Sequence, residues 1–383
     1  MLTSGLLYLC LNLVCKEVFL QGGILLKIAF VLPRISSVPI GGYKMVYEYA
    51  NKLSNDGFDV AIFYDNSLVM DKYKIPEFIK RFLISKRTEK SPVWYELNSN
   101  IEKKSSRDKN LDSFFASVDI AIATGAGTVN LVKNFFKKSK KVYFIQDFEA
   151  DKTGESWSNS AEEVYNTYNA GLINITVSKW LKEIVDQKSD RETIYVRNPL
   201  DINKYKVLTP INKRNQNTIG MLYHDRPRKG CKYTFEAIKR VRDKFPNVRL
   251  IMFGACPPPK NLPTWITYYE NASQEQVIQI YNSISIFASG PVKEGFGLTS
   301  LEAMACGTAL VSSDNLGAME YAVDGKNALL SPIKDVESME VNIERLLEDD
   351  KKRIELASEG VKTASNYSWS KAYSDFKEAI LLE

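Results

Sequence analysis

The chain of 383 residues contains one histidine, His224, and five cysteines, Cys10, Cys15, Cys231, Cys256 and Cys306. A single imidazole excludes a multi-histidine metal centre, and a serine hydrolase would depend on this one residue. The cysteines show no C-x-x-C pairing and none of the density that staples small secreted domains, so a reducing cytoplasm is the expected setting. Low-complexity tracts are absent too, and 44% hydrophobic with 25% charged residues is the balance of a folded globular chain. A net charge of +5 favours acidic ligands and anionic surfaces without naming one. Basic residues alternate with acidic ones and no basic run carries interleaved aromatics, so no nucleic-acid partner is expected.

Long apolar runs are equally scarce. Residues 6–15 look like the hydrophobic part of a signal peptide, but no positive flank precedes them, no cleavage site follows, and the run is too short to cross a bilayer. A membrane-touching arm or a packed terminal helix would also fit. The favoured reading is an upstream start-site extension over residues 1–24, because a complete domain opening begins only at Leu25 or Leu26.

From there the chain alternates. Residues 26–32 (LKIAFVL) form an apolar run ending at a proline, as expected of a strand buried on both faces of a parallel sheet. A loop through Gly41 and Gly42 leads into an amphipathic helix, and residues 59–64 supply the next strand. After a polar stretch at 86–110, strands at 118–123, 141–145 and 174–177 alternate with helices, and residues 195–201 (YVRNPLD) close this half. A second round runs through strands at 218–222, 249–253, 284–289 and 309–312, with helices near 232–245, 274–282 and 298–306 and a helical tail from 336 to 382. The length exceeds what one core usually supports. The expected architecture is therefore α/β, two doubly wound, Rossmann-like parallel-sheet domains facing across a cleft, with function in the loops at the carboxyl ends of the strands.

Two strings carry most of the chemistry. In GPVKEGFGLTSLEAMACG, residues 290–307, a strand ends, a glycine loop turns and a helix starts near Leu298 or Thr299. Backbone N–H groups and the positive end of a helix dipole suit a diphosphate there. In IGMLYHDRPRKG, residues 219–230, Arg226, Arg228 and Lys229 bring positive charge to a loop that follows a strand. Gly125-Ala126-Gly127 lacks the third glycine of a dinucleotide fingerprint, which disfavours a nicotinamide enzyme.

The 290–307 string, with Glu294 and Glu302 in Glu-x7-Glu spacing, resembles glycosyltransferase family 4, and the likeness extends from about Leu26 to the chain end. The resemblance implies a GT-B fold, a retaining and metal-independent reaction, and a nucleotide diphosphate sugar as co-substrate with no cofactor. It implies an acceptor-side domain at 25–198, a donor-side domain at 199–365, and a helix at 366–383 crossing back to the first domain. Carried over by position, Glu294 faces the donor sugar, Glu302 accepts from the ribose hydroxyls, and Phe296, Gly297, Leu298 and Thr299 cradle the donor. Lys229 neutralises the departing diphosphate together with an arginine. The usual spacing would put that arginine at Tyr223, which leaves Arg226 and Arg228 both open, while His224 reads as a loop residue rather than a base.

Gly41 and Gly42, in PIGGYKMVYEYANKL, resemble the family's first glycine-rich loop, which approaches the donor phosphate or acceptor; a turn that needs positive φ before a helix is the alternative for both. In YFIQDFE, residues 143–149, Gln146 stands where many members carry histidine, which removes any imidazole role. Gln146 can still bond a sugar hydroxyl, and Asp147 can orient an acceptor or act as base. This form is similar to a rhamnosyltransferase-like branch. Tyr367-Ser368-Trp369 resembles the closing aromatic motif, with core packing sufficient to explain Trp369. The implied function is sugar transfer to a glycan or lipid-linked acceptor in cell-envelope polysaccharide assembly, in the cytoplasm or peripherally at the inner membrane face. A sugar-nucleotide epimerase and a non-catalytic nucleotide-sugar binder are the alternatives.

Overall fold

The computed structural model describes residues 25–66, 75–151 and 160–382. The 1–24 extension, with Cys10 and Cys15, lies outside them, as does the middle of the stretch between Glu149 and Tyr168. By internal contacts the chain divides into one unit that runs to Phe144 and takes in Ala170–Ile173, and a second made of Ile145–Asn169 and Asn174–Glu383.

The first sheet comprises β1 (Lys27–Leu32), β2 (Asp59–Tyr64), β3 (Glu102–Ser105), β4 (Ile120–Ala123), β5 (Lys140–Ile145), β6 (Ile173–Thr176) and β7 (Ile194–Tyr195), in the order β3-β2-β1-β4-β5-β6-β7. Its pairings are parallel, with Ile28 opposite Val60 on one side and Ile120 on the other. Ile28, Ala29, Phe30 and Val31 are fully buried, which is why this segment reads as an unbroken apolar run. Phe63 packs against the rings of Phe114, Phe115 and Phe136 at centroid distances of 5.8, 5.6 and 6.3 Å.

The second sheet comprises β8 (Thr218–Leu222), β9 (Arg249–Gly254), β10 (Ile266–Glu270), β11 (Ile286–Ser289), β12 (Ala309–Ser313) and β13 (Ala328–Ser331), in the order β10-β9-β8-β11-β12-β13. Its core includes Ile219, Met221, Leu250, Met252, Ile286 and Val311. Burying each such side chain is favourable by roughly 1.5–3 kcal/mol. Helix starts are fixed locally: Ser273 and Gln276 form a reciprocal capping box, and Asp335 and Asp349 accept from the N–H groups of Ser338 and Lys352.

Three details differ from the sequence expectations. The polar stretch at 86–110 contains the end of a helix, Glu77–Lys90, and the strand β3; β10 and β13 were also not anticipated. Gly41 and Gly42 open the helix Gly41–Asn55 and neither has positive φ, because Ile40 supplies the extended residue before the helix at φ −131°. A Cβ added at Gly41 would meet nothing within 4 Å. Trp369 is only half-buried at the start of the last helix, Trp369–Leu381, and it is Tyr367 that is buried, against the rings of Phe296 and Tyr321.

Candidate functional site

In the second sheet β8 and β11 are neighbours, with Ile219 opposite Ile286 and Gly220 opposite Phe287, and the strand order runs outward in both directions from this pair. Loops leaving their carboxyl ends therefore begin side by side, at the switch point where open α/β sheets bind ligands. Here the loops touch backbone to backbone. Gly230 sits at φ +60°, and a Cβ on it would lie 1.7 Å from the carbonyl oxygen of Gly290. The N–H of Val292 donates to the carbonyl of Arg228 at 2.8 Å.

That contact sets Lys229 beside Glu294, with Nζ 2.5 Å from Oε1 and both side chains about four-fifths shielded, at 20% and 17% exposure. Both line a small recess of about 20 Å³ together with Cys231, Thr234, Gly290 and Thr299, roughly the room of a single water molecule.

The helix Leu298–Ala305 starts from Gly297, whose φ is +83° and whose added Cβ would meet the Tyr321 hydroxyl at 2.9 Å. No side chain caps this end, so the positive end of the helix dipole faces the loop. The Tyr321 hydroxyl donates to the Gly297 carbonyl at 2.7 Å. Phe296 turns into the core, 3% exposed, between the rings of Tyr321 and Tyr367. It anchors the loop from beneath. Thr299 and Glu294 face the recess. Glu302 is buried in the second turn, and Oε2 accepts from the Tyr281 hydroxyl at 3.3 Å. Burial, then the Glu302 charge, pushes the Tyr281 and Tyr205 hydroxyls well above their ordinary range. Both stay protonated, as donors, beside the carboxylate.

The segment after β5 joins the same loops. A Cβ on Gly295 would lie 2.2 Å from the Gln146 carbonyl oxygen and 3.1 Å from the Asp147 Cα, so glycine at 295 is what lets this turn approach. Trp180 Nε1 donates to the Gly295 carbonyl at 2.9 Å, and Lys293 Nζ stands 4.2 Å from the centre of the Phe148 ring. Asp147 Oδ2 pairs with Arg228 Nη1 at 2.9 Å. Among the described residues, the buried Oε1 of Gln146 has no hydrogen-bond partner.

The structure thus brings Lys229, Glu294, Arg228, Asp147, Gln146 and Thr299 around the touching loops, with Gly297 and Leu298 at the helix start and Glu302 behind them. Gly41 and Gly42 start the helix after β1 in the first unit. Arg226 lies on the same loop as Lys229, and its backbone N–H donates to His224 Nδ1 at 3.1 Å. Burial, then the charges of Lys229 and Arg226, lowers the pKa of His224, which keeps the imidazole neutral and engaged within its loop. Among the described residues one trio of metal-type donors, His224, Asp225 and Cys256, lies within 4.8 Å of one another; the Cys256 thiol donates to Asp225 Oδ1 at 3.4 Å.

The sequence reading missed Tyr281, Tyr205, Trp180 and Tyr321, the side chains that hold the site from behind. Tyr281 belongs to the buried side of its helix, Gln274–Ser283, where the only pattern it shows is that of a core residue.

Residues 209–363 match the family model described as Glycosyl transferases group 1, a span that contains Lys229, Glu294 and Glu302. The chain is 26% identical over 201 residues to the N,N'-diacetylbacillosaminyl-diphospho-undecaprenol alpha-1,3-N-acetylgalactosaminyltransferase of Campylobacter jejuni, covering 51% of this chain and 49% of that one. It is 26% identical over 255 residues to the D-inositol 3-phosphate glycosyltransferase of Corynebacterium efficiens, covering 58% and 59%. The matched regions span about half the length of these curated relatives. Among solved structures, Anabaena HepE in complex with UDP and glucose superposes with a TM-score of 0.71 at 18% identity, over 92% of this chain and 98% of that one. The fold is GT-B, two α/β domains on parallel sheets of seven and six strands, and its residues 209–363 match a group 1 glycosyl transferase domain.

Proposed function

We propose that this chain is a retaining, metal-independent glycosyltransferase that moves a sugar from a nucleoside diphosphate donor, held by the 199–365 side, to a glycan or lipid-linked acceptor. The observation that carries the reading is the Lys229–Glu294 pair at the β8/β11 switch point, beside the uncapped start of the Leu298–Ala305 helix. The donor diphosphate takes over Lys229 Nζ and lies against the helix N-terminus, with Arg226 or Arg228 adding charge. As the bond between the sugar C1 and the diphosphate oxygen breaks, its electron pair stays on that oxygen, where fixed cations and N–H groups offset the developing charge. Each such group is worth about 3–4 kcal/mol of barrier. The acceptor oxygen bonds to C1 on the face the diphosphate leaves, and its proton passes to Asp147.

Glu294, released from Lys229, accepts from hydroxyls of the donor sugar, and Glu302 accepts from those of the ribose. The unpartnered Gln146 Oε1 accepts from a further sugar hydroxyl. The Campylobacter relative is named for a diphospho-undecaprenol substrate. An acceptor of that kind would place this chain in the cytoplasm, peripherally at the inner membrane face, in cell-envelope polysaccharide assembly. No helix among the described residues is long and apolar enough to cross a membrane.

The test is a thermal-shift screen against UDP, GDP, dTDP, ADP and nicotinamide cofactors, with Lys229→Ala and Glu302→Ala alongside. One nucleoside diphosphate is expected to raise the melting temperature by a few degrees, because a ligand that binds only the folded state stabilises it. Both variants are expected to lose that shift. Stabilisation by nicotinamide cofactors alone, or nucleotide binding unchanged in both variants, would refute the donor site. Product anomers read by NMR then decide whether configuration is retained.

A further inference from the structure

The helix Glu77–Lys90 of the first unit buries only Ile84 and Thr88. Its opposite side is apolar and open to solvent: Phe78 is 73% exposed, Phe82 57% and Leu83 49%, with Ile75 and Ile79 also exposed. Positions 78, 79, 82 and 83 recur at helical spacing and share one stripe, with Ile75 just before the helix. Along the same helix run Lys80, Arg81, Lys86, Arg87 and Lys90, against the acids Glu77 and Glu89. Glu77 is already engaged, 3.6 Å from Arg81 Nε and 3.0 Å from Arg107 Nη1. Lys86 Nζ stands 4.6 Å from the centre of the Phe82 ring, its cation beside the apolar stripe. Next to the helix, a groove of about 310 Å³ is lined by Ile35, Leu83 and Val93 together with Lys86, Arg87 and Lys90.

A helix whose exposed face joins aromatic and aliphatic side chains to an excess of cations suits the headgroup region of an anionic bilayer. A second copy of the same face suits it poorly, since pairing would set the cations against each other. We propose that the Glu77–Lys90 helix docks this chain on an anionic phospholipid surface, with Phe78, Phe82 and Leu83 entering the headgroup boundary and the lysines and arginines meeting lipid phosphates. The proposal deepens the peripheral-membrane part of the function argued above and rests on it.

The experiment is co-sedimentation of the full chain with vesicles of phosphatidylcholine alone and of phosphatidylcholine with phosphatidylglycerol. It is run for the parent chain, for Phe78→Ser with Phe82→Ser, and for Lys86→Glu with Arg87→Glu. The parent is expected to bind the anionic vesicles and to release in about 0.5 M salt, which shortens the screening length to a few ångströms. Each double variant is expected to lower the partition at least about tenfold while keeping the melting temperature and the nucleoside diphosphate shift. No binding to anionic vesicles, equal binding to neutral ones, binding undiminished in both variants, or a dimer by light scattering that the variants dissociate would each overturn it. Vesicle binding without any nucleotide shift would leave the docking surface standing and remove the donor site instead.

Discussion

Lys229 Nζ and Glu294 Oε1 lie 2.5 Å apart although 65 residues separate them in the chain. Parallel pairing of β8 with β11, and the contact of Gly230 with Gly290, put them there. Lys229→Ala should weaken nucleoside diphosphate binding by about 10²–10³-fold, the cost of removing one strong charged contact. Glu294→Gln should leave that affinity within about threefold and lower transfer instead. Calorimetry with the diphosphate, and transfer rates from the matching sugar donor, separate the two; equal loss of diphosphate affinity in both variants would contradict the division of roles.

The glycines make a graded series. Gly230→Ala combines a left-handed φ, costing about 1–2 kcal/mol by itself, with a Cβ overlapping the Gly290 carbonyl. Gly295→Ala must push away the Gln146 backbone. Gly41→Ala meets nothing and should hold or raise stability, by up to about 1 kcal/mol. Thermal melts should rank the variants Gly230 lowest, then Gly295, then Gly41. A Gly295→Ala protein melting with the parent would mean that the 146–147 turn is not held as described.

The Arg228 pairing can be tested by coupling. Arg228 pairs with Asp147 at 2.9 Å, so a cycle of Arg228→Ala and Asp147→Asn should show an interaction of about 0.5–3 kcal/mol in unfolding free energy. A coupling energy close to zero would contradict the pairing.

Glu320 gives a pH dependence with a definite sign. Burial raises its carboxyl above the ordinary value of 4.5, against hydrogen bonds from the Lys179 N–H and the Tyr195 hydroxyl that lower it. The folded state then holds the proton more tightly than the unfolded chain. This stabilising contribution is fully present below pH 4.5 and is lost as pH rises through the raised folded value. Glu320→Gln keeps an acceptor for the Lys179 N–H and lets its amide donate to the Tyr195 hydroxyl in place of the bond it accepted, and it should remove this component from the melting-temperature profile. An unchanged slope above pH 4.5 in the variant would refute the assignment.

Much of the fold could be read from strands buried on both faces, since β1, β2, β8 and β12 have no polar side to interrupt the apolar run. The missed strands β3, β10 and β13 all lie at sheet edges. There EKKS is half-buried along Glu102–Lys104 and ITYYE exposes Thr267, Tyr269 and Glu270, so neither forms an apolar run. At the site, Lys229 in the 219–230 string and Glu294 with the glycine loop in the 290–307 string were legible because each string is short and its chemistry is local, although 65 residues separate the two side chains. The Arg228–Asp147 pair and the approach of Gln146 to Gly295 were not, because nothing in either segment specifies its neighbour. The exposed stripe of Phe78 and Phe82 was missed for a related reason: spacing alone cannot say which side of a helix faces the core.

Because β8 and β11 are parallel neighbours rather than a hairpin, a stretch holding β9, β10 and two helices separates the Lys229 and Glu294 loops in the chain, and their meeting is a non-local contact. Such non-local pairing comes at the slow end of folding. Appearance of nucleotide affinity during refolding would then serve as a clock for completion of the second sheet, and a fragment ending before β11 should have none.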